Sequence, residues 1–227
     1  MSKFIVVEGL IGVGKTSLCR LLERRLNAEL VLEPAEDNPF LAQFYSDPIR
    51  FAFPAQMFYL ATRCQQQNRL LQSRLFTELY VSDYLFAKDR IFAEQTLDGD
   101  ELHLYNKFNA LLSQNVAKPD FILFLDSPTE VILERIKKRG IEAEQAIQGE
   151  YLDDLRRRYY TLWHRYNDAP IYVLNTEELN YIKDEEARVD IVNMIKGWMA
   201  GQPVTGAPEA YTGSPSNQLS LFENLSG

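Results

Sequence analysis

The chain has 227 residues and a mass of 26.3 kDa, enough for one globular domain with short appendages. With 46% hydrophobic and 25% charged residues it has the composition of a folded protein, and a formal net charge of -8 argues against a dedicated nucleic-acid or anionic-membrane surface. Two cysteines and two histidines are too few for a disulfide scaffold or a zinc cluster, and without a ~20-residue apolar run or a signal peptide we expect a cytoplasmic protein.

The first half of the chain alternates short apolar runs with helical patterns. The predicted elements are strands at 3–8, 29–33 and 79–83 and helices at 17–26, 38–47 and 54–74. Pro34 ends the second strand because it has no backbone N–H to donate, and Pro48 predicts a break before the long helix, which then has Pro54 near its start. We expect Cys19 and Cys64 to pack within helices.

The second half continues the alternation. The predicted elements are helices at 101–115, 129–139, 150–167 and 184–199 and strands at 119–126 and 171–175. The strand at 119–126 is nearly all apolar, which is typical of a strand buried on both faces. The pattern therefore predicts an α/β domain over residues 1–200, with a doubly wound parallel sheet of five strands, helices on both faces and ligands at the carboxyl ends of the strands.

A glycine-rich loop between the first strand and the first helix has the pattern of a phosphate-binding loop, G-x-x-x-x-G-K-[ST]. In this pattern the glycines let backbone N–H groups close on phosphate oxygens, and the helix N-terminus adds positive potential. Lys15 then reaches the β- and γ-phosphates, and the Thr16 hydroxyl is a ligand for Mg²⁺. The predicted ATP-binding residues are Gly9, Leu10, Ile11, Gly12, Val13, Gly14, Lys15 and Thr16.

Glu33 stands at the end of the second predicted strand, so its carboxylate should project from the same sheet edge as the phosphate loop. A carboxylate in that place can orient an alcohol and accept its proton during phosphoryl transfer. The guanine-selecting pattern of GTPases, Asn-Lys-x-Asp, is missing, because the nearest string, at 106–109, ends in Asn. These features favour a small-molecule kinase over a GTPase switch.

Further motifs follow the phosphate loop in order: Glu33-Pro34, the run YSDPIRFAFPAQ at 45–56, Arg63, and the run RIKKRG at 135–140. Their order and spacing resemble the deoxynucleoside kinase family, which comprises deoxycytidine, deoxyguanosine and deoxyadenosine kinases, over residues 1–185. The resemblance implies a P-loop kinase fold, ATP and Mg²⁺ as cofactors, and 5'-phosphorylation of a deoxynucleoside in nucleotide salvage. It also implies a homodimer through helical faces, for which the helix at 101–115 is a candidate, although core packing explains its apolar stripe equally well.

The resemblance also implies roles for residues on the acceptor side. Glu33 matches the family's general base for the 5'-hydroxyl, and Tyr45 and Glu144 match the pair that hydrogen-bonds the sugar 3'-hydroxyl. Gln56 matches the glutamine whose amide reads the edge of the base. Family members with an arginine and an aspartate at 63 and 89 act on deoxyadenosine, deoxyguanosine or deoxycytidine, so Arg63 and Asp89 are expected in the base pocket, with thymidine disfavoured.

The segment after the third strand departs from the family pattern. Residues 83–85 align with an acid-Arg-Ser triplet, which makes Asp83 the expected carboxylate near Mg²⁺. Tyr84 stands where the family has an arginine near the attacking oxygen. Either Lys88 or Arg90 compensates, or the alignment is displaced by a few residues. A competing register places Asp83 in the base pocket instead and leaves the later aspartate outside it.

Arg135 and Arg139 lie four residues apart on one face of the helix predicted at 129–139. A solvated basic face is one interpretation of this run. Because it follows a buried strand and precedes a polar stretch, it also resembles the kinase lid that closes arginines over the transferring phosphate. The family often has another arginine where Ile141 stands, so lid catalysis here is expected to depend on Arg135 and Arg139.

Two other functions fit parts of the pattern. A nucleoside monophosphate kinase resembling thymidylate kinase would use the Asp-Arg pair at 89–90 to hold an acceptor phosphate. A nucleotide-bound adaptor that recruits a partner through its tail would leave Glu33 and the lid unexplained. Product analysis with deoxynucleosides and their monophosphates distinguishes these alternatives.

The last 27 residues differ in composition from the rest of the chain. Eleven of the residues at 201–227 are Gly, Pro or Ser and none is Lys or Arg, so we expect a disordered tail. One apolar cluster interrupts it and resembles the pentapeptide by which bacterial replication and repair proteins bind the sliding clamp. The expected clamp-binding residues are Gln218, Leu219, Ser220, Leu221 and Phe222. A chance match, or a tail that folds back onto its own domain, is the alternative.

Overall fold

The computed structural model describes residues 2–34, 37–73, 77–177, 179 and 181–201, so the pentapeptide at 218–222 lies outside the described residues. The strands are β1 (Lys3–Gly9), β2 (Glu29–Val31), β3 (Leu79–Ser82), β4 (Phe121–Asp126) and β5 (Ile171–Asn175). The helices are α1 (Lys15–Leu26), α2 (Leu41–Ser46), α3 (Pro48–Ser73), α4 (Asp89–Thr96), α5 (Gly99–Leu112), α6 (Thr129–Arg139), α7 (Gly149–Trp163) and α8 (Glu185–Met199). None of the helices in this part of the chain is long and apolar enough to cross a membrane.

The five strands form one parallel sheet in the order β2-β3-β1-β4-β5. In its centre Val6 of β1 pairs with Ser82 of β3 on one side and with Ile122 of β4 on the other. Parallel strands must be joined by crossovers, and each crossover here contains at least one helix. The predicted α/β fold is confirmed, and the carboxyl ends of all five strands meet at one edge.

Among the described residues, the hydrophobic core consists of two clusters. The larger one surrounds the sheet, where the apolar residues of β1 and β4 are almost completely buried. The smaller one lies between α3, α4 and α5 and includes Leu60, Ala93 and Tyr105. As predicted, Cys19 and Cys64 lie in helices, α1 and α3, and both are free thiols. The second cluster holds α3 and α4 together beside the edge where the strands end.

The second strand is shorter than predicted. It ends at Val31 rather than at Glu33, because the backbone N–H of Glu33 donates to Asp83 Oδ1 at 2.8 Å instead of joining the sheet. Glu33 therefore already belongs to the loop at the sheet edge. The Asp83 side chain, from the loop after β3, thus ends β2 at Val31, before the chain reaches Pro34.

Helix α3 begins six residues earlier than predicted. Pro48 is its first residue, where the missing N–H breaks no helical hydrogen bond, and Pro54 lies within the helix. Asp47 precedes it, and its side-chain oxygen accepts from the Arg50 N–H at 3.3 Å while its carbonyl accepts from Phe51. The Asp-Pro pair is a helix start signal: the expected break between the two helices is present at Asp47, but the long helix begins at Pro48 and not at Pro54.

Helix α4 is absent from the sequence prediction. It has only eight residues, too few to establish an apolar period, and its buried apolar residues are Ile91 and Ala93. Helix α7 ends four residues earlier than predicted, because the residues after Trp163 leave the helix. The short α4 matters for the site because it carries Asp89 and Thr96.

Candidate active site

The phosphate loop joins the end of β1 to the first turn of α1. Gly12 and Gly14 have φ values of 82° and 112°, in the left-handed region that side chains rarely adopt. A Cβ on Gly12 would lie 2.6 Å from the side chain of Ile136, and one on Gly14 would overlap the Tyr181 hydroxyl. The loop therefore needs glycine at both positions, and it has the geometry of a phosphate cradle at a helix N-terminus.

Lys15 lies over this loop. Its Nζ donates to the carbonyl oxygens of Gly9 and Leu10 at 2.8 and 3.0 Å. Burial, together with the nearby charge of Lys88, lowers the pKa of Lys15 below its ordinary value. Two carbonyl groups thus hold the ammonium group of Lys15 at the phosphate loop, and the charge of Lys88 lies near it.

Glu8 is a site residue that the sequence prediction missed. It is completely buried in β1, and its carboxylate accepts from the N–H of Gly9 at 3.0 Å and of Leu85 at 2.6 Å. It also accepts from the Tyr159 hydroxyl at 2.9 Å. This carboxylate connects the phosphate loop, the segment after β3 and helix α7. A charged residue inside an apolar strand was the one available signal.

Asp83 connects the phosphate loop to the loop after β2. Its Oδ2 accepts from Thr16 Oγ1 at 2.6 Å, and its Oδ1 accepts from the Glu33 N–H. A hydroxyl and a carboxylate oxygen are ligands suited to Mg²⁺, which in kinases takes only one or two protein oxygens and completes its shell with phosphates and water. The donor set of Thr16 and Asp83 therefore fits the ion that the sequence predicted.

Glu33 is held by two cations. Its carboxylate forms an ion pair with Arg63, and Lys88 Nζ donates to its Oε2 at 2.8 Å. Burial raises the pKa of Glu33, but the charges of Arg63 and Lys88 outweigh it and hold the pKa well below its usual range. The carboxylate is therefore ionised at neutral pH and can accept a proton.

The structure distinguishes between the two cations expected to replace the family's arginine. Lys88 is buried beside Glu33, whereas the Arg90 side chain is 64% exposed and pairs with Glu94 on the helix surface. Tyr84 is fully buried, and its hydroxyl donates to Gln66 Oε1 at 2.8 Å. Lys88, and not Arg90, lies at the site.

Arg63 and Asp89 form a buried ion pair, and Arg63 also pairs with Glu33. The Tyr105 hydroxyl donates to Asp89 Oδ2 at 2.9 Å and fixes that carboxylate from α5. Of the two alignments considered for this segment, the position of Asp89 beside Arg63 agrees with the one that puts Asp83 near Thr16. Tyr105 was not predicted, because its pattern fits core packing equally well.

Gln56 lies nearby on α3, with its side-chain Nε2 donating to Thr96 Oγ1 at 3.2 Å. The Thr96 hydroxyl itself donates to the Phe92 carbonyl at 2.8 Å, so it can only accept from Gln56. Among the described residues Gln56 Oε1 has no hydrogen-bond partner, although it is buried. The amide oxygen is thus available to a ligand, and Thr96 is the unpredicted residue that orients it.

The lid residues lie apart from this cluster. Arg139, at the end of α6, is half-exposed and forms an ion pair with Glu144. Arg135 donates to the Thr176 carbonyl at 2.6 Å and to the Val13 carbonyl of the phosphate loop at 3.3 Å. In this conformation Arg135, Arg139 and Glu144 bind protein groups. The side chain of Tyr45, in α2, is outside the described residues.

A phosphate loop after β1, a lysine over it, a hydroxyl–carboxylate pair and a second carboxylate at the same sheet edge define a P-loop kinase. The deoxynucleoside kinase family matches residues 5–199, most of the chain. The chain therefore belongs to the deoxynucleoside kinase family, as the sequence predicted.

Individual relatives agree with this assignment. Over 157 residues the chain is 36% identical to a deoxyguanosine kinase of Bacillus subtilis (strain 168), a match that covers 69% of this chain and 76% of the relative. It is 30% identical over 202 residues to a deoxyadenosine/deoxycytidine kinase of the same organism, covering 86% and 92%. The structure of a deoxyadenosine kinase from M. mycoides, with dCMP and a flexible dCDP bound, superposes with a TM-score of 0.72 at 26% identity, covering 86% of this chain and 99% of that one.

Proposed function

We propose that this chain transfers the γ-phosphoryl group of ATP to the 5'-hydroxyl of deoxyadenosine, deoxyguanosine or deoxycytidine, as a step in nucleotide salvage. The observation that carries the proposal is the position of Glu33. Its backbone N–H donates to Asp83, which accepts from Thr16 at the phosphate loop, and its carboxylate pairs with the buried Arg63 on α3, the helix that also carries Gln56. An ionised carboxylate in that position can hold an alcohol between a nucleotide donor and a base pocket.

On the donor side, the backbone of the phosphate loop and Lys15 bind the phosphates of ATP. Thr16 and Asp83 hold Mg²⁺, since the hydroxyl and the carboxylate converge at 2.6 Å. When bound, Mg²⁺ would supply positive charge that offsets the negative charge developing on the phosphates during transfer. Lys15 lies between two loop carbonyls and needs only to exchange them for phosphate oxygens.

On the acceptor side, Glu33 accepts the proton of the 5'-hydroxyl as the oxygen attacks phosphorus. Gln56, Arg63 and Asp89 line the base pocket, and the free amide oxygen of Gln56 accepts from the base. Tyr45 and Glu144 hydrogen-bond the sugar 3'-hydroxyl by the family resemblance, for which Glu144 must leave Arg139.

Helix α6 carries the two arginines of the proposed lid. Arg139 and Arg135 bind the transferring phosphoryl group after the lid closes around the substrates. Closure then requires the ion pair of Arg139 with Glu144 to open, which releases both groups for substrate. Arg135 starts from contacts with the Val13 carbonyl and Thr176, immediately beside the phosphate loop.

We predict that kcat/KM is higher for deoxyadenosine, deoxyguanosine and deoxycytidine than for thymidine. A pocket with a buried Arg63–Asp89 pair and a free Gln56 amide oxygen can hydrogen-bond an amino group or a purine edge, whereas the thymine methyl needs apolar space. Incubation with Mg·ATP and each of the four deoxynucleosides, with products separated by chromatography, measures the order. Thymidine as the best substrate would contradict the proposed base pocket.

The same experiment with deoxynucleoside monophosphates tests the thymidylate kinase-like alternative. That alternative needs Asp89 and Arg90 to hold an acceptor phosphate together. In the structure Asp89 is buried against Arg63, and Arg90 points to Glu94 on the surface. We therefore expect monophosphates, in contrast to nucleosides, to remain unphosphorylated.

We propose that two copies associate through helix α5. Leu104, Phe108 and Leu111 lie on one side of α5 and are 43%, 40% and 65% exposed, while only Tyr105 of that helix is buried. The protein's own core therefore leaves this apolar face uncovered, and a second copy of the same face is its proposed partner.

Sedimentation of the Leu111→Glu variant tests this interface, and we expect a monomer where the unchanged chain gives a dimer. The matched variant Val189→Glu, at a 44% exposed site on α8, should remain dimeric; equal masses for both variants would contradict the proposed interface.

We further propose that the residues at 218–222 bind a bacterial sliding clamp. The support is the sequence QLSLF within a Gly/Pro/Ser-rich segment that offers it no core to join. Titration of the full chain against a clamp should give a dissociation constant of about 1 µM, or roughly -8 kcal/mol, and Leu221→Ala with Phe222→Ala should abolish binding. Binding that ignores the double substitution would contradict the proposal. ATP and the clamp are both cytoplasmic, so a cytoplasmic location is part of the same proposal.

A further inference from the structure

Lys88 pairs with Glu33, and the family motifs matched in this sequence assign it no role. We propose that Lys88 is a catalytic residue of this kinase, whose ammonium group binds the transferring phosphoryl group in the transition state. In the family this role belongs to an arginine, which aligns with Tyr84 of this chain. The inference rests on the proposed function, and it adds a residue that the family motifs do not supply.

Tyr84 cannot perform this task. Burial raises its pKa to about 12, so the phenol is neutral and carries no positive charge. Its hydroxyl donates to Gln66 and accepts from Gln67 Nε2 at 3.4 Å, both on α3. The side chain is therefore packed into the structure behind the site, and the family's positive charge has to come from another residue.

Lys88 lies between Glu33, the proposed general base, and the phosphate loop. It lies in the single helical turn Phe86–Lys88 after β3, and its side chain is only 4% exposed. Its Nζ is 2.8 Å from Glu33 Oε2 and 3.8 Å from Glu8 Oε1, the carboxylate that also binds the N–H of Gly9. Its charge also contributes to the lowered pKa of Lys15, so the two ammonium groups approach the same space.

The other cations near Glu33 have different sets of partners, and Lys15 is bound to the carbonyls of Gly9 and Leu10. Arg63 is divided between Glu33 and the fully buried Asp89, and its guanidinium stacks on the ring of Tyr59 at 4.9 Å. Arg90 points to solvent. Lys88 is thus the cation in this part of the described chain whose contacts are to the base and to the start of the phosphate loop.

Burying Lys88 beside Glu33 is costly for the fold. Burying an ammonium group costs desolvation energy, and buried ion pairs are often no more stabilising than apolar residues of the same size. Arg63 is shared between Glu33 and Asp89, and Lys88 is the second cation in contact with Glu33. A buried charge beside a reacting group is what electrostatic stabilisation of a transition state requires.

The chemistry uses the release of Lys88 from Glu33. As the 5'-oxygen forms its bond to the γ-phosphorus, the bond from that phosphorus to the β–γ bridging oxygen breaks, ADP leaves, and the hydroxyl proton passes to Glu33. Protonation removes the negative charge that held Lys88. Its ammonium group then has N–H donors free for the phosphoryl oxygens, which carry charge in the transition state.

The test compares Lys88→Met, which keeps length without charge, with Lys88→Arg and with the surface control Arg90→Met. We expect Lys88→Met to lower kcat about 10²–10³-fold, with nucleoside and ATP dissociation constants within a few-fold of those of the unchanged enzyme. Lys88→Arg should recover most of this loss, and Arg90→Met should be unaffected. A kcat of Lys88→Met within a few-fold of the unchanged enzyme overturns the proposal.

A double variant separates catalysis from mere positioning of Glu33. If Lys88 only held Glu33 in place, its loss would have no further effect once Glu33 is replaced. We expect Glu33→Gln with Lys88→Met to be slower than Glu33→Gln alone by at least tenfold; equal rates overturn the catalytic role. Should Lys88→Met fail to fold, Lys88→Gln, which retains a donor for Glu33 but no charge, replaces it in both comparisons. An unchanged enzyme that phosphorylates no nucleoside would instead refute the proposed function.

Discussion

Replacing Glu33 by Gln is expected to lower kcat by about 10²–10⁴-fold while nucleoside binding changes little. The amide has nearly the same shape as the carboxylate and can still hydrogen-bond the 5'-hydroxyl, but it cannot accept its proton. Single-turnover and steady-state rates with the best of the four nucleosides, together with nucleoside dissociation constants, measure the two effects separately.

The control for this variant is Glu94→Gln, which removes a surface carboxylate paired with Arg90 and should leave the rate unchanged. Turnover of Glu33→Gln within a few-fold of the unchanged enzyme would show that Glu33 is not the base. Melting temperatures of both variants exclude unfolding as the cause, which is necessary because Glu33 is the ionic partner of Arg63 and Lys88.

The pH dependence gives an independent check on Glu33. Because Arg63 and Lys88 depress its pKa in the folded protein, the active carboxylate form persists below the ordinary value of about 4.3 and is lost only as the pH falls further. The kcat/KM profile for the nucleoside should therefore show no acid limb from this group between pH 8 and 5. An acid limb near pH 6 that disappears in Glu33→Gln would contradict the depressed pKa.

Replacing Lys15 by Ala is expected to lower kcat/KM for ATP by about 10²–10³-fold, the effect of removing one preorganised donor to a reacting phosphate. Its ammonium group, already positioned by the carbonyls of Gly9 and Leu10, is the cation at the mouth of the phosphate loop. Nucleoside binding should not change, because Lys15 does not contact the groups around Gln56 and Arg63.

Lys196→Ala, at an exposed position of α8, is the matched control for the loss of one lysine. Unchanged ATP kinetics in Lys15→Ala would remove the assignment of the phosphate loop as the ATP site. A loss of nucleoside affinity equal to the loss in ATP use would indicate a collapsed loop, and the melting temperature distinguishes that case.

The regular elements that the sequence predicted well are those with a strong local pattern. Strand β5 and helix α6 have the predicted bounds, and the apolar run of β4 is buried on both faces as expected. Where a local pattern was misjudged, the signal was still local: the Asp47–Pro48 pair marks the start of α3. Helix α4 had no such signal. Its eight residues are too few to show an apolar period, and its contacts with neighbouring helices leave no local pattern in the sequence.

The sequence by itself determined the parallel α/β fold, the phosphate loop at 9–16 and a carboxylate close to the end of the second strand, because each depends on residues that are neighbours in the chain. Only the tertiary structure decided which groups surround Glu33. Lys88 and Arg90 are two positions apart and chemically alike, yet Lys88 is buried beside Glu33 while Arg90 faces solvent. That difference arises from tertiary packing, which brings Lys88 to Glu33, 55 residues away in the chain. The carboxylate offsets the cost of burying the Lys88 charge, and no local sequence pattern connects the two residues.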